Sequence, residues 1–296
     1  MSAEDAADAS DAADAADAAD AADAAVDRRA ASLRDGARVP PEDAVIGCRG
    51  ITKTFGSITA VDDVELGIDD GEWVSIVGPN GAGKTTLLNI LNGFYSPDSG
   101  GAVYLGGEDV TDRPEHYRAR RGLARTFQGL ELFEEEDVLE NVMTVRAVHE
   151  RPNLLSALLF YGRGRRIEAE NMRRVEEILD YLELWEYRHA TVSALPLGVQ
   201  RRVDLARSLA LEPDVLLLDE AMSGLTFDEK YDMIRFLTDL HEEEGLTLVM
   251  IEHDLEVVTS VSDRMIVMQK GGVLARGPPQ AVTDDPEVAR VYTGVD

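Results

Sequence analysis

Runs of apolar and β-branched residues predict a series of short strands. Some of these runs are almost entirely apolar, which is typical of strands buried on both faces of a sheet. Others are mixed and bounded by glycine or aspartate, as strand ends commonly are. The apolar runs lie at 72–77, 215–218 and 246–251, and the runs bounded by glycine or aspartate lie at about 45–55 and 61–68. Two further short strands are predicted near 265–268 and 273–275.

Between these predicted strands lie segments whose apolar residues recur with the period of a helix. From Asn171 to Leu184, apolar residues recur at three- and four-residue intervals, as on one face of an amphipathic helix. Further helices are predicted after residue 83, ending near Gly93, and at 229–243, and the region at about 130–211 is predicted to be mostly helical. Because apolar strands alternate with helices, the pattern predicts an α/β fold with a parallel sheet.

The first 40 residues follow a different pattern. Aspartate recurs at every third position from Asp5 to Asp23, with alanines between. A three-residue period winds the charges around a helix and leaves no apolar stripe, which favours a solvated, disordered tail over a docking segment. We therefore predict a tail and linker over 1–40 and one folded domain over 41–296.

The net charge of the chain limits which classes of partner it is expected to bind. The chain has 29 Lys and Arg residues against 57 Asp and Glu residues, a formal net charge of −28. Residues 1–35 carry ten acids and three arginines, which leaves a net charge of −21 for residues 36–296. Nucleic-acid binding depends on a basic face, and this balance argues against it. With only four lysines, the composition resembles that of halophilic proteins, although an ordinary acidic protein fits the same numbers.

Cysteine content and hydropathy bear on the cellular compartment. A single cysteine, Cys48, excludes a disulfide within the chain. No apolar run approaches the roughly 18 residues that span a bilayer, and no signal segment opens the chain. We expect a soluble protein in a reducing compartment, with any membrane role supplied by a partner.

The stretch after the strand at 72–77 carries the strongest chemical signal. It matches the phosphate-binding pattern G-x-x-x-x-G-K-[ST] in full. Glycines let backbone N–H groups curl around phosphate oxygens, and the following helix adds the positive end of its dipole. In this pattern the lysine reaches the β and γ phosphates of ATP, and the threonine hydroxyl ligates Mg²⁺. The residues are Gly78, Pro79, Asn80, Gly81, Ala82, Gly83, Lys84, Thr85 and Thr86.

An acidic pair completes the nucleotide site. The apolar run V-L-L-L at 215–218 is followed by Asp219 and Glu220. At the end of a buried strand, Asp219 is placed to hold Mg²⁺ through water, and Glu220 to polarise the water that attacks the γ-phosphate. Apolar strands that end in D-E are common, but behind a complete phosphate loop the pair predicts an ATPase.

The order of these motifs resembles that of the ATP-binding cassette (ABC) ATPases over about residues 44–296. The resemblance implies that Phe55 stacks on adenine, that Gln128 senses Mg²⁺ and the γ-phosphate, and that His253 contacts the γ-phosphate. It implies that S-G-L-T at 223–226 crosses a dimer interface, and that a signature loop binds the ATP held by the opposite subunit. The signature residues are Leu195, Pro196, Leu197, Gly198, Val199 and Gln200.

The same resemblance implies the architecture and the class of transporter. The expected fold is a P-loop NTPase with a parallel core sheet, an antiparallel β subdomain and a helical subdomain inserted at about 130–211. Segments at 124–133, 138–142 and 286–294 are similar to ATPase subunits of importers of branched-chain amino acids, urea and amides. The implied partners are a second ABC ATPase subunit, membrane permease subunits and, indirectly, an extracytoplasmic solute-binding protein. The implied location is the cytoplasmic face of the membrane.

This chain departs from the subfamily pattern at three positions. Val199 stands where glutamine is usual, Ala221 where proline is usual, and Thr226 where aspartate or asparagine is usual. Because Val199 and Thr226 fall in loops assigned to the dimer interface, they favour a heterodimer with unequal sites. The backbone N–H groups of Gly198 and Val199 are still expected to face the partner's phosphate.

Other interpretations remain open from the sequence. A lipid- or lipopolysaccharide-export ATPase has similar L-P-x-G and R-T-F-Q segments. A soluble ABC protein of translation or DNA repair usually has two cassettes or a long coiled-coil insertion, and this chain has one phosphate loop. A subunit that binds ATP without hydrolysing it is disfavoured by Asp219, Glu220 and His253. The insertion at 148–167 is either core packing or a permease contact.

Overall fold

The structure is a computed structural model that describes residues 40–98, 100–126, 129–146 and 163–293. The predicted tail at 1–39, Gln128 and most of the insertion at 148–167 lie outside the described residues. In the described part of the chain the strands are β1 (Ile46–Phe55), β2 (Ile58–Ile68), β3 (Trp73–Val77), β4 (Ala102–Leu105), β5 (Glu108–Asp109), β6 (Leu123–Thr126), β7 (Val215–Asp219), β8 (Thr247–Ile251), β9 (Arg264–Gln269) and β10 (Gly272–Gly277).

Helices surround these strands. The predicted helices at 171–184 and 229–243 are α4 and α6, and both begin earlier than predicted. Within the described residues, no helix is both long and apolar enough to cross a membrane. The described helices are α1 (Lys84–Asn92), α2 (Glu115–Ala119), α3 (Val138–Arg146), α4 (Arg163–Tyr181), α5 (Leu197–Leu209), α6 (Phe227–Glu244), α7 (Leu255–Val261), α8 (Pro279–Thr283) and α9 (Pro286–Thr293).

The strands form two sheets. The antiparallel sheet has the order β2-β1-β4-β5, and the core sheet has the order β10-β9-β3-β8-β7-β6. All neighbours in the core sheet are parallel except β9 and β10. The expected α/β fold with a parallel core sheet and an antiparallel β subdomain is therefore confirmed. The short strands β4, β5 and β6 were not predicted, because two to four residues are too few for a period to show.

The core sheet is buried on both faces, as its apolar strands predicted. Every residue of β3, β7 and β8 is buried. Val74 and Ile76 pack in a cluster with α1 and the antiparallel sheet, whereas Trp73 and Val77 pack in a cluster with α5 and α6. This alternation follows from the two-residue period of a strand. Because β3, β7 and β8 run parallel, their carboxyl ends lie at one edge of the sheet.

Arg118 fixes the far end of α1. Its buried guanidinium donates to carbonyl oxygens at the end of α1, Ile90 at 2.8 Å and Leu91 at 2.6 Å, and also to Val110 at 2.7 Å. A cation at a helix carboxyl end is favoured by the helix dipole. Burial lowers the pKa of Arg118 to about 10. These bonds fix the carboxyl end of α1, and the other end of this helix follows the phosphate loop.

Candidate functional site

The phosphate loop at 78–86 joins the end of β3 to the start of α1. Gly78 and Gly83 have φ of 146° and 103°, in the region that favours glycine. Both also lie against backbone. A Cβ on Gly78 would be 2.2 Å from the Met268 carbonyl oxygen, and a Cβ on Gly83 would be 2.1 Å from that of Ala60. The loop is thus seated between β9 and β2, where only glycine fits at these two positions.

Substitution of Gly83 tests this seating. Gly83→Ala is expected to lower the free energy of unfolding by more than about 2 kcal/mol, because left-handed strain alone costs roughly 1–2 kcal/mol and a backbone clash adds to it. Gly81→Ala is the matched control, since its φ is 81° but nothing lies within 4 Å of an added Cβ. Chemical denaturation measures both variants. If both variants lose the same free energy of unfolding, the clash with the Ala60 carbonyl adds nothing to the cost of the Gly83 substitution.

Lys84 lies between the loop and the acidic residues. Its Nζ donates to the carbonyl oxygens of Gly78 at 2.7 Å and Pro79 at 3.2 Å. Burial lowers the pKa of Lys84, and the carboxylates of Glu220 and Asp219 oppose that change. A cation held in this position can bind a phosphate group that enters the loop.

Asp219, the last residue of β7, is fully buried next to the loop. Its Oδ1 lies 3.5 Å from the Thr85 hydroxyl oxygen. Arg125 of β6 donates to its Oδ2 at 2.8 Å and to the Asn89 Oδ1 at 2.5 Å. Burial raises the pKa of Asp219, and Arg125 is the main influence against that rise. Arg125 therefore supplies the counter-charge for Asp219 and ties β6 and β7 to α1.

The donor types here fit a Mg²⁺ ion. Mg²⁺ prefers carboxylate and other oxygen ligands, and Thr85 and Asp219 present a hydroxyl and a carboxylate to each other. Gln128, the third predicted ligand, lies outside the described residues.

Glu220 and His253 meet at the wall of the same site. The His253 Nε2 lies 2.8 Å from the Glu220 Oε1. Glu220 has a φ of 52°, which is uncommon for a residue other than glycine. Its backbone N–H donates to the Ile251 carbonyl at 3.0 Å, which links the ends of β7 and β8. The Glu220 side chain is 17% exposed, so a carboxylate in contact with water is held in one place.

Glu252 organises the segment that carries His253. Its carboxylate accepts a hydrogen bond from the Met222 N–H at 3.1 Å, and burial raises its pKa. Asp254, on the other side of His253, forms an ion pair with Lys230 at 3.4 Å. The residues on both sides of His253 are thus tied to the chain after β7, which holds the histidine beside Glu220.

These groups surround a cavity of about 600 Å³. No side chain caps the start of α1, so its first backbone N–H groups are available to an anion. The cavity therefore combines phosphate donors with a carboxylate placed to accept a proton from water. Its lining consists of Asn80, Gly81, Ala82, Gly83, Lys84, Thr85, Thr86, Glu220 and His253.

Phe55 lies outside this lining, at the end of β1. Its ring is 42% exposed and makes an edge contact with Tyr95, with 5.2 Å between ring centroids. The Lys53 Nζ lies 5.7 Å from the Phe55 ring centroid. An exposed aromatic ring suits stacking on a base, and the adenine role of Phe55 stays a prediction.

The signature residues lie at the start of α5, and none of the described residues that line the cavity belongs to them. Val199 is only 6% exposed and packs in the core cluster with α6. Its N–H donates to the Pro196 carbonyl at 3.0 Å. The Glu229 carboxylate lies against Gly198, where a built Cβ would be 2.2 Å from Oε1. The expectation that the Gly198 and Val199 N–H groups face a partner's phosphate stays a prediction.

The other signature residues shape the loop or face solvent. The Gln200 Nε2 donates to the Leu195 carbonyl at 2.8 Å, which closes the turn before α5. Leu197 is 41% exposed. Nearby, Thr226 caps α6, so that this departure from the subfamily pattern has a local role.

Three residues around the site were not identified from the sequence. They are Arg125, Glu252 and Glu229. Two of them had a signal in the sequence. Glu252 directly follows an apolar strand, and Glu229 ends the T-x-x-E pattern of a capping box. Arg125 had none, because β6 is too short to be predicted.

A phosphate loop after a core strand, with acidic residues at the end of a parallel strand in the same sheet, defines a P-loop nucleotide hydrolase. A family model described as "ABC transporter" matches residues 61–223. The chain belongs to the ABC transporter family as its ATP-binding, ATP-hydrolysing cassette.

Curated relatives extend the match over most of the chain. The high-affinity branched-chain amino acid transport ATP-binding protein BraF of Pseudomonas aeruginosa is 38% identical over 250 residues, which cover 84% of this chain and 98% of BraF. The protein LivG of Escherichia coli, which has the same descriptive name, is 36% identical over 250 residues, with 84% and 98% covered.

Solved structures agree with the fold. The ADP conformation of MJ1267, an ATP-binding cassette of an ABC transporter, is similar with a TM-score of 0.73 and 29% identity, over 85% of this chain and 99% of that chain. The dimeric structure of MJ0796, a bacterial ABC transporter cassette, is similar with a TM-score of 0.67 and 30% identity, over 79% and 98%.

Proposed function

We propose that this protein is the ATP-hydrolysing subunit of an importer of branched-chain amino acids. ATP hydrolysis is supported chiefly by the 2.8 Å contact between Glu220 and His253 at the wall of the phosphate-loop cavity. A site that only binds ATP has no need of a positioned base. The names of BraF and LivG support branched-chain amino acids as the solute, and import over export.

Each residue of the site has its own role in ATP hydrolysis. Lys84 and the backbone N–H groups of the phosphate loop hold the β and γ phosphates, and Phe55 stacks on adenine. Glu220 accepts a proton from the attacking water while the water oxygen bonds to the γ-phosphorus, and ADP leaves with the electrons of the broken P–O bond. His253 keeps the Glu220 carboxylate in position and contacts the γ-phosphate.

Mg²⁺ fits next to the residues that bind the phosphates and activate the water. Thr85, Asp219 and Gln128 would hold the ion, which neutralises charge on the phosphate oxygens when it is bound. Arg125 opposes the rise that burial causes in the pKa of Asp219, and its 2.8 Å contact with Oδ2 fixes the orientation of the carboxylate.

A second ABC ATPase subunit completes each site. The support is that the signature residues do not line this chain's own cavity among the described residues, while a related cassette is a dimer. We favour a partner that is a different chain, because Val199 and Thr226 are unusual in this subfamily. The pair binds permease subunits at the cytoplasmic face of the membrane, and a solute-binding protein delivers the solute to the permeases.

Transport tests this function. The complex purified through a tag on this chain and placed in lipid vesicles is expected to take up leucine, isoleucine or valine when ATP is supplied, and to leave lysine outside as the control solute. Native mass spectrometry of the same complex is expected to find one copy of this chain beside one different ATPase subunit. Uptake of another solute class, with no uptake of these three, would contradict the proposed solute.

A further inference from the structure

Phe55, the residue proposed to stack on adenine, lies in a cluster of aromatic rings. Phe55 ends β1, and Phe94 and Tyr95 follow the end of α1. The ring centroids of Phe55 and Tyr95 are 5.2 Å apart with 66° between the ring planes, and those of Phe94 and Tyr95 are 4.8 Å apart with 63°. Such edge contacts are favourable for aromatic pairs. Tyr95 thus contacts both of the other rings.

Helix α1 holds Tyr95 in place. The N–H groups of Phe94 and Tyr95 both donate to the Asn89 carbonyl of this helix, at 2.9 and 3.1 Å. The Tyr95 side chain is half-buried and packs against the core cluster that contains the apolar residues of α1. The same helix begins directly after Gly83 of the phosphate loop. One helix therefore positions both the phosphate loop and the Tyr95 ring.

A second set of contacts joins the segment after α1 to the end of β1. The Lys53 Nζ lies 3.4 Å from the Asp98 Oδ1, and the Asp98 Oδ2 accepts from the Thr54 N–H at 2.8 Å. The Lys53 Nζ also lies 5.7 Å from the Phe55 ring centroid and 6.0 Å from that of Tyr95, within the range of a cation–π contact. The two segments that carry the rings are thus fixed relative to each other.

The contact with Tyr95 has a consequence for base binding. Phe55 is 42% exposed, and an exposed side chain exchanges rapidly between rotamers when nothing holds it. A ring that is already oriented before the base arrives binds it at a lower entropic cost. The edge contact with Tyr95 favours one orientation of Phe55 and leaves the exposed part of Phe55 available to a base.

We propose that Tyr95 is a positioning residue for the nucleotide base: its ring holds Phe55 in the orientation that stacks on adenine, and helix α1 sets the position of this platform relative to the phosphate loop. Tyr95 acts through the Phe55 ring and not by contact with the nucleotide. The inference rests on the proposed function, from which it takes the stacking of Phe55 on adenine.

A double-mutant cycle with ADP tests this role, and calorimetry on the full-length chain measures the affinity. Tyr95→Leu is expected to weaken ADP binding by about 3- to 10-fold, the factor that corresponds to one aromatic pair contact. Tyr95→Phe keeps the ring and is expected to stay within about twofold of the unchanged chain. Phe55→Leu is expected to weaken ADP binding by about fivefold or more, as the loss of base stacking does. Tyr95→Leu added to Phe55→Leu should then cause no further loss, because the ring through which Tyr95 acts is gone.

Two controls separate positioning from a structural role. Inorganic pyrophosphate has the phosphates of ADP without its base, so its affinity is expected to be the same in all of these variants. A purely structural role of Tyr95 would instead weaken ADP and pyrophosphate together. Tyr104→Leu removes another half-buried tyrosine, in β4 of the same antiparallel sheet as Phe55, and should leave ADP affinity unchanged. Tyr95→Ile also removes the ring and serves as the second variant if Tyr95→Leu fails to fold.

The outcomes distinguish this inference from the proposed function. If Phe55→Leu binds ADP with unchanged affinity, the adenine role of Phe55 fails, and the inference fails with it. If Phe55→Leu weakens ADP binding and the Tyr95 variants do not, the adenine role stands and the inference alone is overturned. The inference is also overturned if Tyr95→Phe loses as much affinity as Tyr95→Leu, or if Tyr95→Leu costs the same with and without the Phe55 ring.

Discussion

Glu220→Gln lowers the rate of ATP hydrolysis by about 10²–10⁴-fold, the range expected for the loss of a general base. Glutamine keeps the shape of the side chain and can still contact the His253 Nε2, which is 2.8 Å from Oε1 in this structure. It cannot take a proton from water. Lys84 and the phosphate loop are unchanged, so ATP affinity is expected to remain.

Phosphate release by the purified complex measures the rate, and a fluorescent ATP analogue measures binding. Glu242→Gln, the same chemical change at an exposed position near the end of α6, is the matched control and should hydrolyse ATP normally. The Glu220→Gln complex should also accumulate as an ATP-bound dimer. Hydrolysis at the normal rate would remove Glu220 from the role of base.

Arg125→Met is expected to lower the free energy of unfolding by about 3–5 kcal/mol, the usual result of removing one member of a buried ion pair. The side chains of Arg125 and Asp219 are 5% and 0% exposed and lie 2.8 Å apart. Without Arg125, Asp219 keeps its place in the core with its main counter-charge gone. Methionine is apolar and flexible, so little of the loss should come from a cavity.

Urea denaturation measures this effect, and an exposed ion pair is the control. Arg173 pairs with Glu177 at 3.1 Å, with 64% and 43% of the two side chains exposed. Arg173→Met is expected to cost roughly 0–1 kcal/mol, since water screens such pairs. Arg125→Met combined with Asp219→Leu should recover much of the lost stability, because no charge is then left buried alone. Equal losses from Arg125→Met and Arg173→Met would show that burial does not matter at this pair.

The predicted site residues fall into three groups in the structure. Residues 80–86 of the phosphate loop line one cavity with Glu220 and His253, and Asp219 lies beside it. Phe55 and the signature residues lie outside that lining, and their contacts with adenine and with a partner's nucleotide stay predictions. Gln128 lies outside the described residues, so its role stays a prediction.

The sequence alone predicted those features that depend only on neighbouring residues in the chain. The phosphate loop is one contiguous segment, whose glycines, lysine and threonine each have a chemical reason for their position. Strands β3, β7 and β8 are largely apolar because both sheet faces are buried, and this composition can be read from each segment alone. Helix α6 shows its period over 18 residues, and Thr226 and Glu229 mark its start.

Contacts between distant segments were decided only by the tertiary structure. Arg125 and Asp219 are 94 residues apart in sequence, and the counter-charge appears only when β6 pairs with β7. Val199 was predicted to lie beside a partner's ATP, but its side chain is buried in the core cluster. The Glu229 carboxylate of α6 lies against Gly198, which is 31 residues away in sequence. The sequence alone thus determined which chemistry the chain carries, because chemistry is a property of residues and short motifs. The fold decided which of those groups are paired, because pairing depends on through-space distance between elements.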